Sequence, residues 1–284
     1  MRCCRVASGL RNCQKGKIGL PLPRFLSMSA PRSYRVEAIV LRHSDYGEAD
    51  RILVLYTREN GKVRAIAKGA RKIRSRKAGH LEPFTRVVLQ LAQGRDMPIV
   101  TQADTVDAYL PLREDLLKTG YAAYIAEMVD RFFYEEGENQ AVYRLLTETL
   151  ERISSQPNPQ LAIRYFEMHL LDLLGFRPEL FHCLGCGEEI QPQGQFFSIA
   201  QGGVFCPKCG ASRPDVTPVS VELLRTLRHM QRSTYAEASR LERANLPPTV
   251  QTDMETLLQR YMAYLLERNL NTPNFLKEIQ KGQT

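Results

Sequence analysis

The 284-residue sequence lacks any apolar run near the ~18 residues that a membrane-spanning helix needs, so no transmembrane segment is expected. It also lacks four motifs that mark common enzyme classes: the Walker phosphate-binding loop, GxGxxG, HExxH and the nucleophile elbow. Internal repeats and long low-complexity linkers are absent as well. The hydrophobic content of 43% and the charged content of 25% are typical of a globular protein and disfavour a disordered chain.

Acidic residues are missing from positions 1–35, which carry eight basic residues. Positions 36–284 hold 31 basic and 31 acidic residues, so the formal net charge of +8 comes from the N-terminal segment. This segment shows no strand alternation, no helical periodicity and no apolar run of a secretory signal. We predict that residues 1–30 form a disordered basic extension outside the fold. Translated upstream sequence before a start at Met28 and a transit peptide are both compatible with it.

Residues 31–110 have the pattern of a small all-β domain. Val36, Ala38 and Val40 alternate along a strand at 34–42, and four more strands are predicted at 51–56, 62–67, 86–92 and 99–108. The Asn60-Gly61 pair predicts a type I′ turn between the second and third strands. Five short strands favour an OB-type barrel, although an SH3-like barrel would leave the same pattern.

From Pro111 onward the apolar residues recur at spacings of three and four, which indicates helices. Five helices are predicted, at 116–133, 142–153, 161–174, 221–230 and 250–266. We expect a helical domain whose first part is 111–182 and whose C-terminal part is 213–284, with a cysteine module at 183–212 between them. The predicted fold class is therefore α+β, with an N-terminal OB-type β-barrel followed by an α-helical domain.

Four of the seven cysteines form two CxxC pairs, namely Cys183 with Cys186 and Cys206 with Cys209. Each pair presents two thiolates to one cation, and two pairs complete the tetrahedron that zinc prefers. We predict one structural Zn²⁺ ion, because four thiolates leave no open position for a catalytic water. A thioredoxin-type redox pair would need a single CxxC at the start of a helix. We expect His182 to be a neighbour of the site, and reduced thiols to indicate the cytoplasm.

A basic cluster lies between the third and fourth predicted strands. Residues 68–77 contain six basic and no acidic side chains, and residues 34–79 contain twelve basic against five acidic. Residues 111–182 contain seven basic against twelve acidic, so the charge is polarised along the chain. Such a cluster attracts phosphate backbones with little sequence preference. The alternative interpretation is a solvated, disordered loop.

Asp45, Glu48 and Asp50 cluster in the first predicted hairpin, between its two strands. Paired carboxylates of this kind can hold Mg²⁺ in a nuclease, although acids in a glycine-containing turn are more often solvated. Three hypotheses therefore stand: a nucleic-acid-binding factor, a zinc-stabilised nuclease, and a zinc-ribbon adaptor that binds only protein.

Several segments in order resemble one known family, the bacterial DNA repair protein RecO family of recombination mediators. They are YRVEAIVLR at 34–42, YGEADR at 46–51, KGAR at 68–71, LEPF at 81–84, LGFRP at 174–178 and the cysteine module that follows. The resemblance covers 34–276 and implies a protein without catalytic activity. It also implies that zinc supports the fold and not the activity, since some family members lack the four cysteines.

The resemblance further implies binding to single- and double-stranded DNA, annealing of complementary strands, and a bacterial cytoplasmic, nucleoid-associated location. The implied partners are RecR, the C-terminal tail of single-strand-binding protein and, indirectly, RecA. Arg131 or Arg144 of the helical domain would serve the tail. Carried onto this sequence, DNA contact falls on eight basic residues: Arg35, Arg42, Arg51, Lys68, Arg71, Lys72, Arg74 and Arg76.

Overall fold

A computed structural model describes residues 33–134, 137, 139–243, 246–267 and 270–282. The prediction for residues 1–30 lies outside them. Five strands come first: β1 (Ser33–Tyr46), β2 (Asp50–Thr57), β3 (Gly61–Ala67), β4 (Arg86–Ala92) and β5 (Ile99–Asp107). The helices are α1 (Leu110–Arg113), α2 (Leu116–Phe132), α3 (Gln140–Ser155), α4 (Gln160–Leu173), α5 (Pro207–Gly210), α6 (Val221–Arg232), α7 (Tyr235–Arg243), α8 (Pro248–Leu265) and α9 (Thr272–Gly282). Three short strands lie among them: β6 (Gln195–Ser198), β7 (Gly203–Phe205) and β8 (Val216–Val219).

The first five strands form a barrel in the order β1-β2-β3-β5-β4. Strand β1 has 14 residues and pairs with β4 through its first half and with β2 through its second half. A bulge between Val40 and Arg42 bends the strand between these two partners. The ring closes where β3 meets β5 in parallel, through the single registered pair Ile66 and Ile99. This order confirms the OB-type barrel.

The hairpin predicted at Asn60-Gly61 is present, but its turn is not type I′. Strands β2 and β3 are registered with Thr57 opposite Gly61, which leaves a three-residue loop at 58–60. Only Gly61 has a positive φ, of 63°, and the amide of Asn60 donates to the hydroxyl of Thr57. A three-residue loop followed by a left-handed glycine is the bulged class of hairpin. Gly61 is therefore the one residue of this turn that adopts a left-handed backbone conformation.

Strand β1 is buried on both faces, and this joins the barrel to the helices. Val36, Ala38 and Val40 point into the barrel core, as the alternation predicted. Ile39 and Leu41 on the opposite face are equally buried, because α2 packs against them. Residues Arg32–Thr284 consequently form one compact unit, in which the helical core continues onto the outer face of the barrel.

The five predicted helices correspond to α2, α3, α4, α6 and α8, within a few residues at each end. Their apolar stripes form one core, which confirms the helical part of the predicted fold class. Helices α7 and α9, the one-turn helices α1 and α5, and the β7-β6-β8 sheet of the cysteine module were not predicted from the sequence. No helix among the described residues has the length and apolar character to cross a membrane.

Helix α9 packs back onto α2, more than a hundred residues earlier in the chain. The carboxylate of Glu127 in α2 accepts hydrogen bonds from the amides of Asn271 and Thr272, at 2.9 and 3.0 Å, where α9 begins. Gly120 lies beneath Leu276 of α9, and a Cβ there would lie 2.6 Å from Leu276 Cδ2. The close approach of the two helices therefore depends on the missing side chain.

Substituting Gly120→Val is expected to lower the free energy of unfolding by about 1–3 kcal/mol, because the added side chain overpacks this contact. Urea denaturation of the variant and the parent protein measures the change. In a Leu276→Ala background the same substitution should have a much smaller effect, since the clashing atoms are gone. Equal losses in both backgrounds would contradict this explanation.

Candidate nucleic-acid interface and metal centre

The segment between β3 and β4 is held to the barrel at both ends; we call residues 68–77 the basic loop. Near its start, the amide of Gly69 donates to Asp50 Oδ1 at 2.7 Å, and the amide of Arg71 donates to the carbonyl of Ala49 at 2.9 Å. Ala70 is buried in the barrel core. At its end, Lys77 Nζ donates to the carbonyl of Val100 at 2.9 Å. The loop is therefore anchored, in contrast to the alternative interpretation of a disordered segment.

The middle of the basic loop presents its charge to solvent. The side chains of five residues are exposed: Lys68, Arg71, Lys72, Arg74 and Arg76. Arg71 pairs with Asp45 at 3.3 Å, and the other four form no ion pair with any described residue. Arg35 is also exposed, on the first strand. Cations without acidic partners keep their full attraction for phosphate.

Arg42 and Arg51, also predicted to contact DNA, are ion-paired within the protein. Arg42 Nε lies 2.6 Å from Asp130 Oδ2 on α2, and Lys62 shares this carboxylate. Burial opposes ionisation of Asp130, but the hydrogen bonds from Arg42 and Lys62 outweigh it and hold its pKa below the usual value. Arg51 is 19% exposed and lies 3.0 Å from Glu82. Much of the charge of both arginines is thus already balanced.

Two of the three acids considered for a nuclease site support the basic loop instead. Asp45 pairs with Arg71, Asp50 accepts from the amide of Gly69, and Glu48 is exposed. Within the part of the chain that the structure describes, these carboxylates do not converge into a metal-binding group. The positioning roles of Asp50 and Lys77 were not predicted from the sequence. No local pattern indicates these contacts, because each of the two residues lies 19 or 23 positions from its partner in the chain.

The two arginines considered for the protein tail lie on different helices. Arg131 in α2 pairs with Glu127 at 2.7 Å. Arg144 in α3 is 80% exposed and lies 3.7 Å from Glu148. It lines an open groove of about 470 Å³ together with Arg58 and Arg86 from the barrel. The structure does not bring the two candidate arginines into one groove.

The four cysteines of the two CxxC pairs converge on one point. Their sulfur atoms all lie within 4.8 Å of one another, and Cys186 Sγ is 4.0 Å from Cys206 Sγ. Four thiolate sulfurs that each lie ~2.3 Å from one zinc ion would be separated from one another by a little less than the distance between Cys186 Sγ and Cys206 Sγ. Cys183 is buried, Cys206 and Cys209 are half-buried, and Cys186 is exposed. The four cysteines are thus placed close enough to bind one metal ion.

Hydrogen bonds to sulfur prepare one of these thiols for a cation. The amides of Gly185 and Cys206 each lie 3.3 Å from Cys183 Sγ. Burial alone would raise the pKa of Cys183, but the backbone donors outweigh it and lower the pKa to about 6. The pKa of Cys209 is raised to about 12, first by its hydrogen bond with Cys206. A further thiolate beside the first is therefore unfavourable until a cation compensates the charge.

The glycines beside the cysteines have different roles. Gly187 adopts a left-handed φ of 75° and donates to the carbonyl of Cys183 at 2.8 Å, which closes the first turn. Gly185 is required for space, since a Cβ there would lie 2.9 Å from Cys209 Cβ. His182 is exposed and lies 3.6 Å from Glu179, outside the sulfur cluster, so it is a neighbour as predicted.

The strand order β1-β2-β3-β5-β4 defines a protein of the OB-fold class, whose barrels commonly bind oligonucleotides or oligosaccharides. This protein adds an anchored basic loop and a four-cysteine cluster to that fold. Two family models match the chain: Recombination protein O N terminal over residues 28–109 and Recombination protein O C terminal over residues 113–273. The chain belongs to the recombination protein O (RecO) family, which confirms the resemblance found in the sequence. Its relatives carry the name DNA repair protein, which places the family in DNA repair and recombination.

Three curated relatives are each named DNA repair protein RecO. The protein of Roseiflexus sp. is 39% identical over 250 residues, which cover 88% of this chain and 87% of the relative. The protein of Dehalococcoides mccartyi is 32% identical over 255 residues, covering 90% and 99%. The protein of Symbiobacterium thermophilum is 35% identical over 254 residues, covering 88% and 99%. The similarity therefore extends across both the barrel and the helical part.

Proposed function

We propose that this protein binds single- and double-stranded DNA through its barrel and promotes the annealing of complementary strands without covalent chemistry. One observation carries the proposal. Five basic side chains are exposed on an anchored loop, and only Arg71 among them is ion-paired with a described residue. An anchored loop loses little conformational entropy when it binds, which favours affinity.

Annealing requires two polyanions to approach each other. A basic surface that neutralises phosphates releases condensed counterions and lowers the repulsion between the strands. We assign the main contacts to five residues of the basic loop and to Arg35 on β1. The five are Lys68, Arg71, Lys72, Arg74 and Arg76. Arg42 and Arg51 remain in the proposal as weaker contributors, because each must share its charge with a carboxylate.

The metal proposed for the cysteine cluster is one Zn²⁺ ion with a structural role. Cys183, Cys186, Cys206 and Cys209 would hold it, and the full set of sulfur ligands leaves no position for a reacting water. The ion would tie the turn at 183–186 to the turn at 206–209. These turns adjoin the β7-β6-β8 sheet, whose Phe197, Val204 and Phe205 belong to the helical core.

Membership in the RecO family supports a proposal for the partners. We propose that the protein acts with RecR on DNA coated by single-strand-binding protein, and so indirectly promotes loading of RecA. The helical part would take the C-terminal tail of single-strand-binding protein, with Arg131 or Arg144 as candidate contacts. The place of action would be the nucleoid in the bacterial cytoplasm.

The experiment that tests the proposal is annealing of two complementary oligonucleotides by the purified full chain over a salt series. We expect the rate to rise well above the spontaneous rate at low salt and to fall steeply as salt increases. An annealing rate equal to the spontaneous rate at every salt concentration would overturn the proposal. Strand cleavage on addition of Mg²⁺ would instead favour the nuclease hypothesis.

A further inference from the structure

The apex of the basic loop carries an apolar side chain that none of the described residues covers. Ile73 has a relative exposure of 104%, and the next most exposed large apolar residue, Tyr134, has 86%. Its neighbours in the chain are Lys72 and Arg74, which are both exposed and without an ion pair among the described residues. Single exposed apolar residues are common on proteins, so exposure alone does not assign Ile73 a role.

The local backbone distinguishes Ile73 from such residues. The amide of Ser75 donates to the carbonyl of Lys72 at 2.9 Å, which places Ile73 at the first central position of a four-residue turn. Turns favour glycine, proline, asparagine, aspartate and serine, and a β-branched residue there gains nothing from turn formation. Because the preceding turn, from Gly69 to Lys72, is also hydrogen-bonded, the apex has a defined position relative to the barrel. Neither core packing nor turn chemistry explains an isoleucine at this place.

We propose that Ile73 is a nucleobase contact, which packs against the faces of unpaired bases while the cations on either side hold the phosphates. This inference rests on the proposed DNA-binding function and specifies the part of DNA that the loop reads. The flanking charges bring a polyanion to the apex, and an exposed base face is the apolar surface that this polyanion offers.

The inference also favours single strands over duplex at this contact. In a duplex the base faces are already stacked, so two neighbouring base pairs would have to separate before a side chain could insert between them. In a single strand the faces are accessible, and an apolar contact gains free energy without breaking a stack. The branched side chain has few rotamers to lose when it is covered.

The test compares Ile73→Ala with the parent protein, as full chains, by fluorescence anisotropy on a labelled thymidine oligonucleotide. We expect about a tenfold loss of affinity, because the contact that buries one apolar side chain is lost. The slope of affinity against salt should not change, because no charge is removed. Ile73→Leu should stay close to the parent, since it keeps an apolar side chain of the same volume.

The decisive arm uses an abasic oligonucleotide of the same length, which has the phosphates but lacks the bases. The parent protein and Ile73→Ala should bind it equally, because the abasic strand lacks the bases that Ile73 would contact. Leu116→Ala, which removes an exposed apolar side chain from the start of α2, should leave binding to both oligonucleotides unchanged. On duplex DNA the Ile73→Ala loss should be clearly smaller than on the single strand.

Three results would overturn the inference: equal affinity of Ile73→Ala and parent for the thymidine strand, the same loss on abasic DNA, or the same loss on duplex. In each case salt-dependent binding by the parent would leave the proposed function standing. If the parent protein bound no DNA at all, the proposed function would fail and the base contact with it.

Discussion

Replacing Lys72, Arg74 and Arg76 together by alanine is expected to weaken binding of single-stranded DNA roughly a hundredfold at low salt, if each contributes one phosphate contact. The slope of log affinity against log salt should become shallower by about 2, since each contact to a single strand contributes ~0.7. These three side chains are chosen because they are exposed and form no ion pair with a described residue, so their removal leaves no carboxylate unpaired. Anisotropy titrations over a salt series measure both quantities.

The matched control removes the same charge from the helical part. Arg225, Arg240 and Lys277 are exposed there, and their triple alanine variant lowers the net charge by the same amount. It should retain nearly the parent affinity and slope. Equal losses in the two triple variants would mean that DNA responds only to overall charge, which would remove the basic loop from the proposal.

Removing the proposed metal from the cysteine cluster is expected to have the largest effect on stability. Structural zinc sites contribute on the order of 10 kcal/mol in small zinc domains, whereas whole domains are stable by about 5–15 kcal/mol. Cys183→Ser takes away the buried ligand and the sulfur that accepts from the amides of Gly185 and Cys206. We therefore expect loss of bound zinc and a large fall in the midpoint of thermal unfolding.

Elemental analysis and calorimetry of the same samples check this expectation, with one zinc per chain in the parent and none in Cys183→Ser. Cys13→Ser serves as the control, because Cys13 belongs to neither CxxC pair, and it should keep both the metal and the midpoint. A metal-free parent protein with an unchanged midpoint would contradict a structural metal. DNA affinity of the zinc-depleted protein should fall only where the fold has begun to unfold.

Local patterns were sufficient to predict the parts of the fold that depend on neighbours in the chain. The alternation at Val36, Ala38 and Val40 located the barrel face of β1, and the CxxC spacing located all four cysteines of the cluster. Ile39 and Leu41 show what alternation misses. Their burial depends on a helix that lies some eighty residues later, so nothing in the strand itself distinguishes them from solvent-facing residues.

The charged residues show the same limit. Arg42 and Arg51 have the same basic character as the residues of the basic loop, but their partners Asp130 and Glu82 lie 88 and 31 residues away. Sequence reasoning counts charges and cannot pair them across the fold. The β7-β6-β8 sheet was missed for a different reason, since strands of three or four residues are too short to establish a period.

The packing of α2 against the outer face of β1 has a consequence for how bound strands would be oriented. Two domains on a flexible linker sample many mutual orientations, and each binding event must select among them at an entropic penalty. Here Ile39 and Leu41 of the barrel already share a core with the helices before any ligand arrives. The direction in which the basic loop points relative to the cysteine cluster is therefore a property of the free protein. A DNA strand bound at the basic loop would therefore extend from it in the same direction relative to the helical part each time.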